Sequence, residues 1–317
     1  MVLEAFSHPE EWDLVNFRLK NELATQNQVR CYINPFLASF DLLVSLAQLY
    51  AHKRSIAWVT GASPLLENVQ PHFVREGYQI QNIKLLDLIQ AADQGQSVID
   101  GLNKDTLFLV FFKDNALTGE SFDHQKLEAW AAAKKIFFVL VSHQAESDFQ
   151  LQPTSFGIKV YASDLTLVFL PERAKLNSSI GAYQNIQWKD QWSESIKKKN
   201  IDLQAAIQEW EDSLVQQKWH YKGLRSPQRS LLIFDAVHGQ IVVEKLKEKG
   251  FSNATSYADC VSQSPKSIRS WIQPEISDQV LRGLISLSFK EARDIPSKEL
   301  IENIVRDIQT DSEWTFK

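Results

Sequence analysis

Short apolar runs alternate with amphipathic stretches through the first two thirds of the chain. Residues 55–61 (SIAWVTG), 107–112 (LFLVFF) and 136–142 (IFFVLVS) are continuous, brief, and rich in β-branched or aromatic side chains. Such runs predict strands buried on both faces of a parallel sheet. Between them, 63–77 (SPLLENVQPHFVREG) and 122–135 (FDHQKLEAWAAAKK) carry apolar residues at helical spacing. In the second, Phe122, Leu127 and Trp130 share one face, leaving Asp123, Lys126 and Lys134 for solvent. Alternating strands and helices predict an α/β sheet covered by helices on both sides. Two further runs, 165–171 (LTLVFLP) and 179–186 (SIGAYQNI), are expected to form an adjoining antiparallel or edge pair.

The pattern changes after Trp188. Residues 192–219 contain no Gly or Pro, and Ile196, Leu203, Ile207, Trp210 and Leu214 make an apolar stripe. One long helix is expected there. A second α/β set follows: a strand at 230–236, a helix at 240–250 closed by Gly250, a strand at 284–289, and a final helix begun by Ser297. The resulting division is 1–190, 191–225 as an interdomain helix, and 226–317. Trp188, Trp192, Trp210 and Trp219 around that helix suit interdomain packing better than a partner surface.

Composition narrows the class. The 317 residues are 44% hydrophobic and 23% charged, as in globular proteins, with a formal charge of -5. That balance argues against nucleic-acid binding. Cys31 and Cys260 form neither a disulfide framework nor a zinc-ligand set. No apolar run reaches the roughly 20 residues that span a bilayer, and the acidic start MVLEAFSHPEEWD has no signal-peptide core. A soluble cytoplasmic protein is expected, with no membrane association.

Four segments carry a family resemblance: 34–50 (NPFLASFDLLVSLAQLY), 53–83 (KRSIAWVTGASPLLENVQPHFVREGYQIQNI), 113–142 (KDNALTGESFDHQKLEAWAAAKKIFFVLVS) and 283–308 (GLISLSFKEARDIPSKELIENIVRDI). Their order resembles pyridoxal-phosphate-dependent transferases of the aspartate aminotransferase fold. The resemblance implies a three-layer α/β large domain with a mainly parallel sheet, a smaller C-terminal α/β domain, and a homodimer.

It also implies four cofactor positions. A lysine forms the imine, and an acid pairs with the pyridinium nitrogen so that the ring acts as an electron sink. A small-residue loop at a helix N-terminus gives N–H groups to the phosphate, and an aromatic ring stacks on the pyridine. The phosphate loop falls on Asn34-Pro35-Phe36-Leu37-Ala38-Ser39, where proline lacks an N–H and two large side chains crowd the space. That stretch equally reads as a helix start with Phe36 and Leu37 packed inside. The acid falls at Ser142 and His143, neither of which supplies a carboxylate. The lysine position depends on register, falling on Pro171, Arg173 or Lys175, and Lys175 alone offers an imine-forming amine. No stacking ring occurs at 62–66, although His72 or Phe73 lies further on. Asn115, in the Asp114–Gly119 turn, inherits the position facing the ring hydroxyl. Arg282, or Arg269 upstream, is the candidate for a substrate carboxylate.

The departures point one way. The leading expectation is a degenerate aminotransferase-like protein with no cofactor, serving a binding, regulatory or assembly role as a homodimer or with a partner protein. The alternative is a divergent pyridoxal-phosphate enzyme, a transferase or lyase acting on an amino acid through Lys175. A third reading brings Asp114, Ser142 and His143 together at the carboxyl ends of parallel strands, where α/β sheets place ligands. No Gly-rich dinucleotide fingerprint, Walker loop or Gly-x-Ser-x-Gly elbow is present.

Overall fold

The computed structural model describes residues 27–32, 35–60, 69–84, 87, 101–114, 121–142, 149–162, 165–174, 193–214, 217–218, 225, 228–234, 237–257, 277–289 and 291–310. They fall into two compact units. Described residues up to Ala174, except Ser121 and Phe122, make the first; those two and everything from Ser193 onward make the second.

The apolar runs become the middle of a seven-stranded sheet. Its strands are β1 (Gln28–Tyr32), β2 (Ser55–Thr60), β3 (Gln79–Lys84), β4 (Thr106–Phe112), β5 (Phe137–Ser142), β6 (Phe156–Ala162) and β7 (Leu165–Leu170). Their order is β1-β7-β6-β5-β4-β2-β3. Neighbours from β3 through β6 pair in parallel, whereas β7 is antiparallel to both β6 and β1. All seven residues of β4 are buried, as a strand covered on both faces requires.

Alternation along the strands sends the two sets of side chains to opposite faces. Trp58, Phe108, Val110, Phe112, Val139 and Val141 share a core with α1 (Pro35–Leu49), which contributes Leu42, Leu43 and Leu46. On the other face Phe111 stacks on Phe138, and Phe138 meets His124 just before α3 (Gln125–Ala133). The short α2 (Gln70–Arg75) buries Phe73 edge-on against Tyr78 and Phe108. β3, at the edge of the described sheet, is polar, with Ile83 its one buried residue.

The run at 165–171 forms β7, whereas the partner expected for it at 179–186 lies outside the described residues. β7 inserts between β6 and β1. β6 and β1 escaped the sequence reading because each is broken by polar residues; Phe156, Ile158 and Val160 alternate in β6, but Gly157 and Lys159 interrupt the apolar signal.

The second unit holds a four-stranded antiparallel sheet ordered β10-β11-β9-β8. These strands are β8 (Gln217–Lys218), β9 (Arg229–Ile233), β10 (Ala254–Ser256) and β11 (Leu284–Ser288). The long helix α4 (Ser193–Ser213), with α5 (Gly239–Glu248), α6 (Asp278–Arg282) and α7 (Lys298–Thr310), completes it. Leu203, Ile207 and Trp210 of α4, Val242 of α5 and Ile304 of α7 are buried in one core. Arg225 clamps the buried Glu211 of α4 with two nitrogens, at 2.5 and 2.8 Å. No described helix is long and apolar enough to cross a membrane.

Candidate functional site

Parallel α/β sheets open their ligand sites at the carboxyl ends of the strands. Here β5 ends on a polar residue, Ser142, and polar residues follow the last residue of β4. The Lys113 N–H donates to the Val141 carbonyl at 2.8 Å, fixing the exit of β4 against β5. The next residue, Asp114, is 0% exposed. Its Oδ2 accepts the Ser142 hydroxyl at 2.5 Å, and Ser142 is equally buried at the end of β5. A charge-assisted bond of this length, shielded from water, ties the ends of two neighbouring strands.

Ser142 is the register partner of Lys159 on β6. Partners in register point to the same face, so the lysine stands beside the serine on the sheet. Lys159 is buried, its Nζ lying 5.7 Å from the centre of the Phe149 ring, a cation–π distance. Gly157, two residues earlier on that face, makes room for the covering side chains. A Cβ there would lie 2.5 Å from Leu151 Cδ1 and 2.8 Å from the Phe149 ring. A carboxylate and a hydroxyl are therefore joined at the carboxyl ends of β4 and β5, with Lys159 of β6 in register with Ser142.

The convergence of Asp114 and Ser142 is as the third reading expected. Lys159 was missed, since a lone lysine in FGIKVYA belongs to no motif. Lys175, Asn115, His143 and Arg269 lie outside the described residues. Arg282 is exposed at the last position of α6.

Parts of the expected cofactor positions are described, and the described residues do not fit the cofactor. At the phosphate position, α1 begins at Pro35, Phe36 and Leu37 pack on the core, and Ser39 Oγ donates to the Pro35 carbonyl at 2.7 Å. Among the described residues of that stretch, Pro35 has no N–H to offer a phosphate. At the pyridinium position, Ser142 presents a hydroxyl already engaged by Asp114. Phe73, one of the possible stacking rings, is spent in the core.

A second polar cluster lies on α3. The carbonyl of Gln150 can only accept, so His124 Nε2 carries the proton in their 3.1 Å bond. Glu128, one turn on, accepts the Gln152 N–H at 2.9 Å, and its Oε2 lies 3.9 Å from His124 Nε2. Burial pushes the His124 imidazole below its ordinary value, reinforced by Lys113; the bond to Gln150 and the charges of Glu128 and Asp123 oppose this. The unfolded histidine, titrating near about 6.5, then takes up a proton that the folded one refuses. Stability conferred by neutral His124 is complete above that value and declines as pH falls below it toward the folded pKa. We expect the urea midpoint to fall between neutral pH and pH about 5, and His124→Gln, which keeps a donor for Gln150, to flatten that decline. An unchanged slope in the variant would assign the acid sensitivity elsewhere.

No family model matches the sequence, and no curated protein sequence does. Solved structures match over most of their length. A NifS-like protein superposes with a TM-score of 0.72 at 10% identity, covering 96% of this chain and 90% of that one. A NifS-like protein from Rickettsia africae gives 0.65 at 9% identity, over 96% and 90%. The apo cysteine desulfurase of Thermococcus onnurineus gives 0.63 at 12% identity, over 95% and 83%. The fold is therefore that of the pyridoxal-phosphate-dependent transferases, in the version shared with NifS-like proteins.

Proposed function

We propose that this chain has kept the transferase fold and given up pyridoxal-phosphate catalysis, serving instead as a cytoplasmic binding, regulatory or assembly subunit, as a homodimer or with a partner protein. The observation carrying this reading is the buried Ser142–Asp114 hydrogen bond. The end of β5 is where the resemblance calls for an acid facing a pyridinium nitrogen, and it holds a neutral hydroxyl whose proton is already committed. The helix start at Pro35 supports the same reading, because proline offers no N–H and the partly buried Phe36 and Leu37 beside it pack on the core.

A second reading keeps the enzyme. It is favoured by the Asp114 carboxylate one strand away from the expected acid, and by the cysteine desulfurases among the structures of the same fold. The enzyme would then be a transferase or lyase acting on an amino acid, with Lys175 forming the imine, Asn115, Ser142 and His143 near the ring, and Arg282 on the substrate carboxylate. When bound, the cofactor would supply an electron sink.

The visible spectrum of the purified chain, before and after adding pyridoxal phosphate, separates the two, followed by borohydride reduction and peptide mapping. We expect no new band and no reduced adduct. A band with an adduct on Lys175, absent from Lys175→Ala, would overturn the proposal and establish the second reading.

A further inference from the structure

An apolar cavity of about 400 Å³ opens beside the amino ends of β2, β5 and β6, away from the strand ends that carry Asp114 and Ser142. Tyr50, Ile136, Phe137 and Phe138 supply its apolar lining. The Tyr50 ring lies 4.8 Å from Phe137 and 6.4 Å from His52 between centres, so an aromatic wall stands ready for a flat ligand. Volume and lining fall within the range of small-molecule sites.

The polar lining is mainly cationic. Lys53 Nζ donates to the Thr106 carbonyl at 3.2 Å and to the Lys135 carbonyl at 3.4 Å, which anchors the ammonium beside the cavity. These bonds use two of its three N–H groups. Lys135 also lines the cavity and is exposed. Glu128 is the one carboxylate among the described lining residues, and it accepts the Gln152 N–H.

Lys135 is held there at a cost. Its φ is +56°, and it is the one non-glycine residue with positive φ among those described. α3 ends in a turn where the Lys135 N–H donates to the Ala132 carbonyl and the Ile136 N–H to that of Ala131. α2 and α5 end in the same pair of bonds, and there the equivalent positions are Gly77 and Gly250. A side chain in this left-handed conformation crowds the following carbonyl, which glycine avoids. Nor does the helix end require this lysine, since Lys134 already offers it a cation. A lysine where the other two turns carry glycine adds a second ammonium to the cavity that Lys53 lines.

We propose that this cavity binds a small aromatic carboxylate, its ring on Tyr50 and Phe137 and its carboxylate on Lys135 and Lys53. The site does not rest on whether the chain uses pyridoxal phosphate.

Calorimetric titration of the full chain with naphthoate and with its neutral isostere naphthamide tests the assignment. The carboxylate is expected to bind saturably, and the amide about tenfold more weakly through loss of a charge-assisted hydrogen bond. Lys135→Gly removes the ammonium and relaxes the turn. It should lower naphthoate affinity about tenfold, leave the amide unchanged, and raise the urea midpoint. Ala132→Trp, at an exposed position in the lining, should fill the cavity and abolish binding of both. No saturable binding at millimolar naphthoate, equal affinity for the amide, or binding untouched by either variant would overturn the proposal. So would a urea midpoint that fails to rise in Lys135→Gly, since the lysine would then be held at no cost.

Discussion

Replacing Gly283 by alanine is expected to destabilise the second unit by about 3 kcal/mol or more, the upper range of overpacking damage. Gly283 follows α6 and opens β11, where its carbonyl accepts the Phe234 N–H at 3.0 Å. A Cβ at this position would stand 2.1 Å from the Phe234 carbonyl oxygen and 3.0 Å from its carbon. These are backbone atoms, so no rotamer change relieves the clash. Either β9 and β11 separate at this end, breaking the register that pairs Leu284 with Ile233, or the turn out of α6 is rebuilt. Gly250→Ala is the comparison. Its φ of +93° strains an L-residue, but nothing lies within 4 Å of the added carbon, so about 1 kcal/mol is expected. Urea unfolding of both variants measures the difference. A Gly283→Ala cost no larger than that of Gly250→Ala would mean that the close approach to Phe234 is not a constraint on the fold.

The second large effect is expected at the strand ends. Asp114→Ala removes a buried carboxylate and leaves the Ser142 hydroxyl without its acceptor, at a cost of about 3 kcal/mol. Ser142→Ala strips a donor from the buried carboxylate and should cost about 2 kcal/mol. The double variant removes both halves and should cost less than the sum of the two, with a coupling of about 2 kcal/mol by a double-mutant cycle in urea. Strict additivity would show that the two residues act separately and would remove the main support for a committed, cofactor-free strand end.

Much of the first unit was legible from residue order. LFLVFF and FFVLVS suit strands buried on both faces of a parallel sheet, and Pro35 suits the start of a helix. Long apolar runs and proline carry their structural meaning locally, through transfer of side chains from water and a fixed φ. The fold class followed from the order of those elements.

What the sequence hid was pairing. QVRCY and FGIKVYA are strands because β7 lies between them and satisfies their backbones, a condition no local pattern reports. Lys159 became a neighbour of Ser142 through the pairing of β6 with β5. Glu128 sits on a helix face that reads as solvated, yet chain segments remote in sequence, including Gln152, bury it. Hydrophobic periodicity thus determined which segments are strands and helices in the core. Only the tertiary structure decided which polar side chains lose water together, because that depends on contacts between residues distant in the chain, and from them came the Asp114–Ser142 bond and the cavity beside Glu128.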